Sequence, residues 1–387
     1  MRVLLNGLPA LKRKTGVGHY TAELAAALAL NFPGDEVTLY PGDLARRVWE
    51  ARPRRTAGPA AAPPHAQKPW PLRSLALGVG KSLARDAIAL HFGTYSRRYA
   101  FDVYHETNFV PFPTGLPTVL NVHDLSVLLH PEWHPADRVG HHARHFRDGM
   151  RRADRILTIS DAVKRELVTH CAVPADRVTT VYCGVSPAFR PHTAAELAVA
   201  RHRLGLPPRY VLSVGTVEPR KNLAMLFAAY ATLPDTVREN CPLLVAGPWG
   251  WKSDGVRRFY DETGRHRGIR HLGYVADADR PALYAGATAL VYPSFYEGFG
   301  LPPVEMLASG GRVIASTDAA VREVCGDAAE YRDPADADAW RAAMLRVADA
   351  PAATPDEVAA RTRRAALYTW CRAAVETRAV YEAVVRS

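Results

Sequence analysis

Two carboxylates, Glu297 and Glu305, bracket a glycine-flanked aromatic in the string Ser294-Phe295-Tyr296-Glu297-Gly298-Phe299-Gly300-Leu301-Pro302-Pro303-Val304-Glu305. Carboxylates can accept hydrogens from ribose and from sugar-ring hydroxyls. Two cations stand side by side in Gly215-Thr216-Val217-Glu218-Pro219-Arg220-Lys221-Asn222-Leu223. Arg220 can grip a phosphate through paired N–H donors, and Lys221 adds a point charge. A solvated basic pair is the competing reading of those two residues. His123-Asp124 follows the apolar run Thr118-Val119-Leu120-Asn121-Val122. A histidine there more often packs or bonds locally than acts in chemistry. Gly16-Val17-Gly18 could bring amides close to a phosphate, but by itself it reads more readily as a plain turn.

Strand ends are the natural place to hold such groups. Residues 288–292 read as a short buried strand. Pro302 and Pro303 suit a helix first turn, where a missing N–H costs little. Gly310 and Gly311 punctuate the end of that helix. A strand, a tight loop and a helix N-terminus aim free amides at one point and favour an anion there. Phe299, Gly300 and Leu301 lie in that loop, Glu297 beside it, and Glu305 early in the helix. An acid early in a helix also serves the helix dipole by itself. A phosphate on the amides with carboxylates alongside is the layout for a nucleotide sugar.

Strands and helices alternate along the chain, the pattern of doubly wound parallel sheets. Residues 2–6 read as a strand, 15–19 as a glycine loop and 20–31 as a helix. Further strands are expected at 101–105, 118–122, 156–159 and 178–182. Ser160 suits a helix N-cap. Residues 51–71, rich in Pro, Ala and Arg, read as a mobile loop, and roughly 72–98 as a basic amphipathic helix. Residues 183–187 with Pro191 form the expected hinge. A second α/β half opens near 210–215.

The string Glu-Gly-Phe-Gly-Leu-Pro-x-x-Glu resembles the two-glutamate signature of the retaining GT-B glycosyltransferases of family four. Glu218-Pro219-Arg220-Lys221-Asn222 resembles that family's diphosphate site. Many members carry an Arg directly after the glycine, where this chain has Thr216, so the contact is left to Arg220. His123-Asp124-Leu125-Ser126 followed by His130-Pro131-Glu132-Trp133 is similar to the stretch whose histidine touches the donor sugar. Gly273-Tyr274-Val275 resembles the backbone site for the nucleotide base. The resemblance implies GT-B architecture: two Rossmann-like doubly wound domains facing a cleft, with a last helix crossing back to the first. The expected boundaries are 1–190 for an acceptor domain, 191–365 for a donor domain and 366–387 for the returning helix. It further implies that His123, Glu297, Arg220 and Lys221 serve catalysis. Gly16, Gly18, Gly215, Tyr274, Val275, Phe299, Gly300, Leu301 and Glu305 would contact the donor. The implied reaction is transfer of a hexose, mannose first, from GDP-mannose or a UDP-hexose to a glycan or lipid-linked acceptor of surface polysaccharide. A non-catalytic nucleotide-sugar-binding subunit is the alternative, and the retained Glu297, Glu305, Arg220, Lys221 and His123 argue against it.

Composition fits a two-domain enzyme. Hydrophobic residues at 48% and charged residues at 23% of 387 residues are globular values and allow two cores. Five cysteines, an odd number with no C-x-x-C pair, suit reduced thiols and a cytosolic setting. The start of the chain does not read as a signal peptide, and no uncharged apolar run is long enough to span a bilayer. Residues 1–190 hold 25 Lys/Arg against 16 Asp/Glu, which is +9 of the total +10. That asymmetry points to an anionic ligand or membrane surface for the first half. Nucleic acid is not expected as a partner, because no RNA- or DNA-binding motif accompanies the charge. The pairs Asp277/Asp279 and Asp336/Asp338 read as helix caps rather than metal ligands. No metal or other cofactor is expected.

Overall fold

Parallel strands covered by helices on both faces are buried along their length, and the central strands of this chain are. The computed structural model describes residues 1–11, 16–42 and 87–386. Among them, β1 Arg2–Asn6, β2 Glu36–Tyr40, β3 Val103–Glu106, β4 Thr118–Val122, β5 Arg155–Thr158 and β6 Val178–Thr180 form one six-stranded sheet, ordered β2-β1-β3-β4-β5-β6. A second has β7 Val211–Val214, β8 Leu243–Ala246, β9 Ile269–Gly273, β10 Ala289–Tyr292, β11 Arg312–Ser316 and β12 Glu330–Arg332, ordered β12-β11-β10-β7-β8-β9. Every residue of β3, β4, β8 and β10 is buried, whereas the edge strands β2, β9 and β12 are half-open. The second order is the doubly wound one, and the chain reverses direction between β7 and β10. Ligands bind such sheets at the carboxyl ends of the strands flanking the reversal.

Two units are defined by their internal contacts. One comprises Met1–Asn121, Gly149–Arg155 and Arg378–Ser387; the other comprises Val122–Asp148 and Ile156–Thr377. In the first, Leu4, Tyr40, Phe92, Phe101 and Tyr104 form a core cluster. In the second, the core gathers Val211, Leu226, Phe227, Leu243, Ile314 and Trp340. The last helix, Trp370–Arg386, carries its final turns onto the first unit. There Tyr381 Oη lies 2.6 Å from His105 Nδ1, and Arg378 pairs with Asp35 at 2.6 Å. Asp35 also takes the N-terminal ammonium at 2.7 Å.

Most expected elements occur within a residue or two of their predicted bounds. One differs: the helix expected at 20–31 spans Gly16–Asn31, so Gly16 and Gly18 are helical rather than in a loop. Glycine costs a helix about 1 kcal/mol relative to alanine, and burial of Tyr20, Leu24 and Leu28 on the same helix offsets it. Thr21 adds a hydroxyl bond to Val17 O at 2.9 Å. The expected loop at 51–71 lies outside the described residues, as does most of the basic helix expected at 72–98. Its described part is helical over 87–98, where Phe92 is buried against Tyr40 and Tyr104 while Leu90 is 73% exposed. No described helix is long and apolar enough to cross a membrane.

The expected hinge is a close backbone contact. Val185 N–H donates to Tyr368 O at 3.0 Å, and a Cβ on Gly184 would lie 2.2 Å from Trp370 N. Gly184→Ala should therefore lower stability by about 1–3 kcal/mol. Gly255 lies in the helix Asp254–Glu262 with nothing within 4 Å of its missing Cβ, so Gly255→Ala should be neutral or stabilise by up to about 1 kcal/mol. Equal melting temperatures for the two variants would refute this account of Gly184.

Candidate active site

Two loops leave the sheet at its reversal point, one after β7 and one after β10. The first begins at Gly215, with φ of +149°, beside Gly247, with φ of +148°. A Cβ on Gly247 would sit 1.9 Å from Gly215 O, so the two strand ends can approach only without a side chain there. Pro219–Lys221 then form a single 3-10 turn, and Asn222 follows in the left-handed region at φ +55°. Asn222 Nδ2 donates to Pro293 O at 3.2 Å and Pro334 O at 2.7 Å, which fixes the loop to the one after β10. Phe295 N–H donates to Arg220 O at 2.8 Å across the same junction.

This junction brings the predicted cations and one predicted carboxylate together. Arg220 donates from Nη1 to Glu297 Oε2 at 2.9 Å and from Nε to Glu218 Oε1 at 2.9 Å. Lys221 Nζ bonds Glu297 Oε1 and donates to Tyr292 Oη at 2.9 Å. The pair is therefore not a solvated surface feature. Burial would raise the Glu297 pKa, but the charges of Lys221 and Arg220 outweigh it and hold the carboxyl at about 2. Burial also pulls the Lys221 ammonium below its ordinary value, and Glu297 only partly restores it. A second carboxyl shapes the loop: Asp318 Oδ2 accepts the Glu297 N–H at 3.1 Å. Burial, with the Glu297 charge adding, pushes Asp318 up to about 7 against its hydrogen bonds.

His123 follows the end of β4 and is buried. Its carbonyl lies where Gly298 passes: a Cβ on Gly298 would be 1.8 Å from His123 O. Tyr296 Oη accepts the Leu125 N–H at 2.9 Å and donates to Glu166 at 2.5 Å. Ser160 caps its helix as expected, accepting the Val163 N–H at 3.2 Å, and donates to Gly298 O at 2.7 Å. The His123 loop and the Glu297 loop are thus locked together. Asp124 shares the site; burial would raise its pKa, but the Arg220 charge lowers it further, aided by bonds from Ser126.

Gly300 caps the helix Leu301–Ala308 at φ +100°, with Pro302 and Pro303 in its first turn. Glu305 lies beyond that turn, which contains no acid, so helix-dipole stabilisation does not account for it. It is 5% exposed and bonded through Oε1 to Arg280, while its Oε2 has no hydrogen-bond partner among the described residues. Gly273 ends β9 at φ +67°, followed by exposed Tyr274 and half-buried Val275. Phe299 is buried beside Tyr182 and Tyr368. Gly215, Lys221, Tyr292 and Ser294 line one small recess at the switch point. Gly16 and Gly18 belong to the other unit.

Of the two aspartate pairs, Asp336 caps its helix through the Ala339 N–H at 2.9 Å. Asp279 occupies an N-cap position but makes no cap bond, because Arg203 takes its carboxylate. Sequence reasoning missed Glu218, Asp318, Tyr296, Glu166 and Arg280. Glu218 and Tyr296 lie inside the quoted motifs and were legible there. Glu166 and Arg280 are surface-type residues by local sequence, and only the fold brings them to the site.

A family model described as Glycosyltransferase Family 4 matches residues 14–189, and one described as Glycosyl transferases group 1 matches 196–366. The chain is 34% identical over 355 residues to O-antigen chain mannosyltransferase B of Escherichia coli, covering 89% of this chain and 90% of that one. Its fold is similar to sucrose-phosphate synthase from Thermosynechococcus elongatus, at 20% identity and a TM-score of 0.70 over 99% of this chain and 98% of the other. It is also similar to Anabaena HepE solved with UDP and glucose, at 16% identity and a TM-score of 0.63 over 99% and 100%. With a family model over its first half and a relative aligned over nearly the whole chain, this protein belongs to the family 4 glycosyltransferases.

Proposed function

We propose that this glycosyltransferase moves mannose from GDP-mannose, with retention of configuration, to a glycan or lipid-linked acceptor of a surface polysaccharide. One observation carries the reading: Arg220 and Lys221 share the buried Glu297 at the sheet's switch point. Mannose is the first choice because the E. coli relative is named a mannosyltransferase. A UDP-hexose is the second, because HepE was solved with UDP and glucose.

In this reading the diphosphate draws Arg220 and Lys221 towards it, and the released Glu297 accepts hydroxyls of the donor sugar. Glu305 takes ribose hydroxyls with its unpartnered oxygen. Gly300 and Leu301 offer helix N-terminal amides to phosphate, and residues 273–275 meet the base. His123 orients the sugar. The bond from the anomeric carbon to the phosphate oxygen breaks as the acceptor oxygen bonds to the same face. The acceptor proton passes to the leaving phosphate, whose growing charge the two cations stabilise. No side chain serves as a covalent nucleophile and no metal is required. Residues 1–190 act as the acceptor domain, 191–365 as the donor domain and 366–387 as the returning helix. The net +9 of residues 1–190 suits peripheral attachment to the anionic cytoplasmic face of a membrane, where a lipid-linked acceptor would be met.

The donor is tested by thermal shift with GDP, UDP, ADP and the matching sugar nucleotides. Ligand at a hundred times its Kd raises stability by about 2.7 kcal/mol, so GDP should give the largest shift. A larger shift with UDP would replace mannose by a UDP-hexose. Transfer should persist in excess EDTA, and the first-formed product should keep the donor's anomeric configuration by NMR.

Arg220→Ala with Lys221→Ala should weaken nucleoside diphosphate binding by about 3–6 kcal/mol. It also strands Glu297 as an unpaired buried charge, a cost of about 3–5 kcal/mol. Adding Glu297→Gln should restore the melting temperature but not the binding. Glu297→Gln alone should slow transfer by roughly a hundredfold while calorimetry finds nucleoside diphosphate bound at least as tightly. Weaker binding by that single variant would show that Glu297 holds the nucleotide instead.

Glu305→Gln separates two roles on one protein. A ribose contact predicts about 1.5–3 kcal/mol less nucleoside diphosphate affinity. A purely structural partner for Arg280 predicts a lower melting temperature with affinity unchanged.

A further inference from the structure

A row of aromatic rings lies beside the charge cluster and has no part in the donor chemistry above. Phe295, two residues before Glu297, is 42% exposed, although a ring of that size normally gains stability by burial. It stacks on Trp133 at 6.0 Å between centroids and 20° between planes. Trp133 stacks in turn on His130 at 4.0 Å and 15°. The row is held in place from a third segment. Trp251 Nε1 donates to Trp133 O at 2.8 Å, and Trp251 lies under the Arg138 guanidinium at 4.1 Å. Lys252 sits in the left-handed region at φ +53°, unusual for lysine, while its ammonium bonds Glu132 O at 2.5 Å. Three segments distant in sequence thus converge to fix rings that remain partly open to water. Rings fixed in this way and left open to water are available to a ligand.

The surface suits a sugar ring better than an acyl chain. Its apolar extent is a few rings, and it has a polar rim in His130, Glu132 and Arg138. A pyranose presents a face of C–H groups to the negative face of an aromatic ring while its hydroxyls reach outward to such a rim. Its location limits which sugar this can be. Two residues of chain span at most about 7 Å, so a ring on Phe295 lies close to whatever Glu297 holds. We propose that Phe295, backed by Trp133, forms the acceptor subsite and stacks on a pyranose of the acceptor glycan. The proposal rests on Glu297 holding the donor sugar.

The test uses the whole chain without nucleotide, titrated with α-linked mannotriose, maltotriose and chitotriose by calorimetry and tryptophan fluorescence. At least one trisaccharide should bind and change the fluorescence. Phe295→Ala and Trp133→Ala should each weaken it at least tenfold, Phe295→Trp should restore it, and affinity for GDP and UDP should not change. Because Phe295 is exposed, its variant tests the proposal even if Trp133→Ala fails to fold. The proposal is overturned if no trisaccharide binds the unaltered protein, or if Phe295→Ala binds as well as it does. It is also overturned if decanoate, and not a trisaccharide, is what Phe295→Ala loses. Failure of every nucleotide in the thermal-shift panel would count against the donor reading and leave this titration interpretable.

Discussion

A carboxylate buried with two cations is the constraint on which the rest of the second unit depends. Removing an ion from water costs several kcal/mol even after relaxation, and the cost is met only by close partners. Glu297 meets it through Arg220 and Lys221, which arrive on a different loop. Those loops must therefore leave the sheet side by side. The strand order supplies this, since β7 and β10 are neighbours at the reversal of a doubly wound sheet. Glu218 supplies Arg220 with a carboxylate inside its own loop, but Glu297 finds both its cations across the junction.

Bringing the loops so near leaves no room for side chains at the crossings. Gly298 passes His123 O, and Gly247 passes Gly215 O, where any Cβ would overlap a carbonyl. These glycines are set by close approach rather than by flexibility, and they place backbone groups against a ligand site. Around them, polar side chains supply the fastening. Tyr296 bridges Leu125 and Glu166, and Glu323 accepts the N–H groups of Asp161 and Ala162 at 2.7 and 2.8 Å. That carboxylate satisfies the N-terminus of the helix Asp161–Cys171, a helix end that would otherwise leave donors unpaired.

The alternating strands were legible because apolar runs bounded by turn residues carry their own signal, and β4 fell at its expected residues. The positions of Arg220, Glu297 and His123 were legible because each follows the carboxyl end of a strand. Their mutual pairing was not. Nothing local in Glu297, Arg220 or Lys221 says that they bond to one another rather than to solvent, since that depends on strand order over 70 residues of chain. Glu305 shows the same limit. Its position suggested a first-turn acid, but one turn further along it became a buried partner of Arg280. Asp279 was misread for a related reason: a cap is local, yet Arg203 competes for it from a distant helix. Gly16 and Gly18 were misread because glycine permits a loop without requiring one.

Burial pushes both carboxyls around the Glu297 loop upward, but their neighbouring charges carry them in opposite directions. Glu297, beside two cations, falls to about 2, while Asp318, bonded to the Glu297 N–H, rises to about 7. For Glu297 the folded state favours the ionised form, so its contribution to stability is present above the ordinary carboxyl range and is lost as pH falls towards 2. For Asp318 the folded state favours the protonated form, so stability declines as pH rises from about 4 to about 7. Part of the Asp318 shift comes from the charge of Glu297 itself. The two titrations are therefore coupled, and anything that neutralises Glu297 eases ionisation of Asp318. In the proposed reading, a diphosphate that draws Arg220 and Lys221 away acts in the opposite sense on Glu297, exposing its charge to Asp318 and to the sugar hydroxyls. The hydroxyls would then hydrogen-bond a carboxylate otherwise held by the two cations, and donor binding would be an exchange of partners within one buried charge cluster.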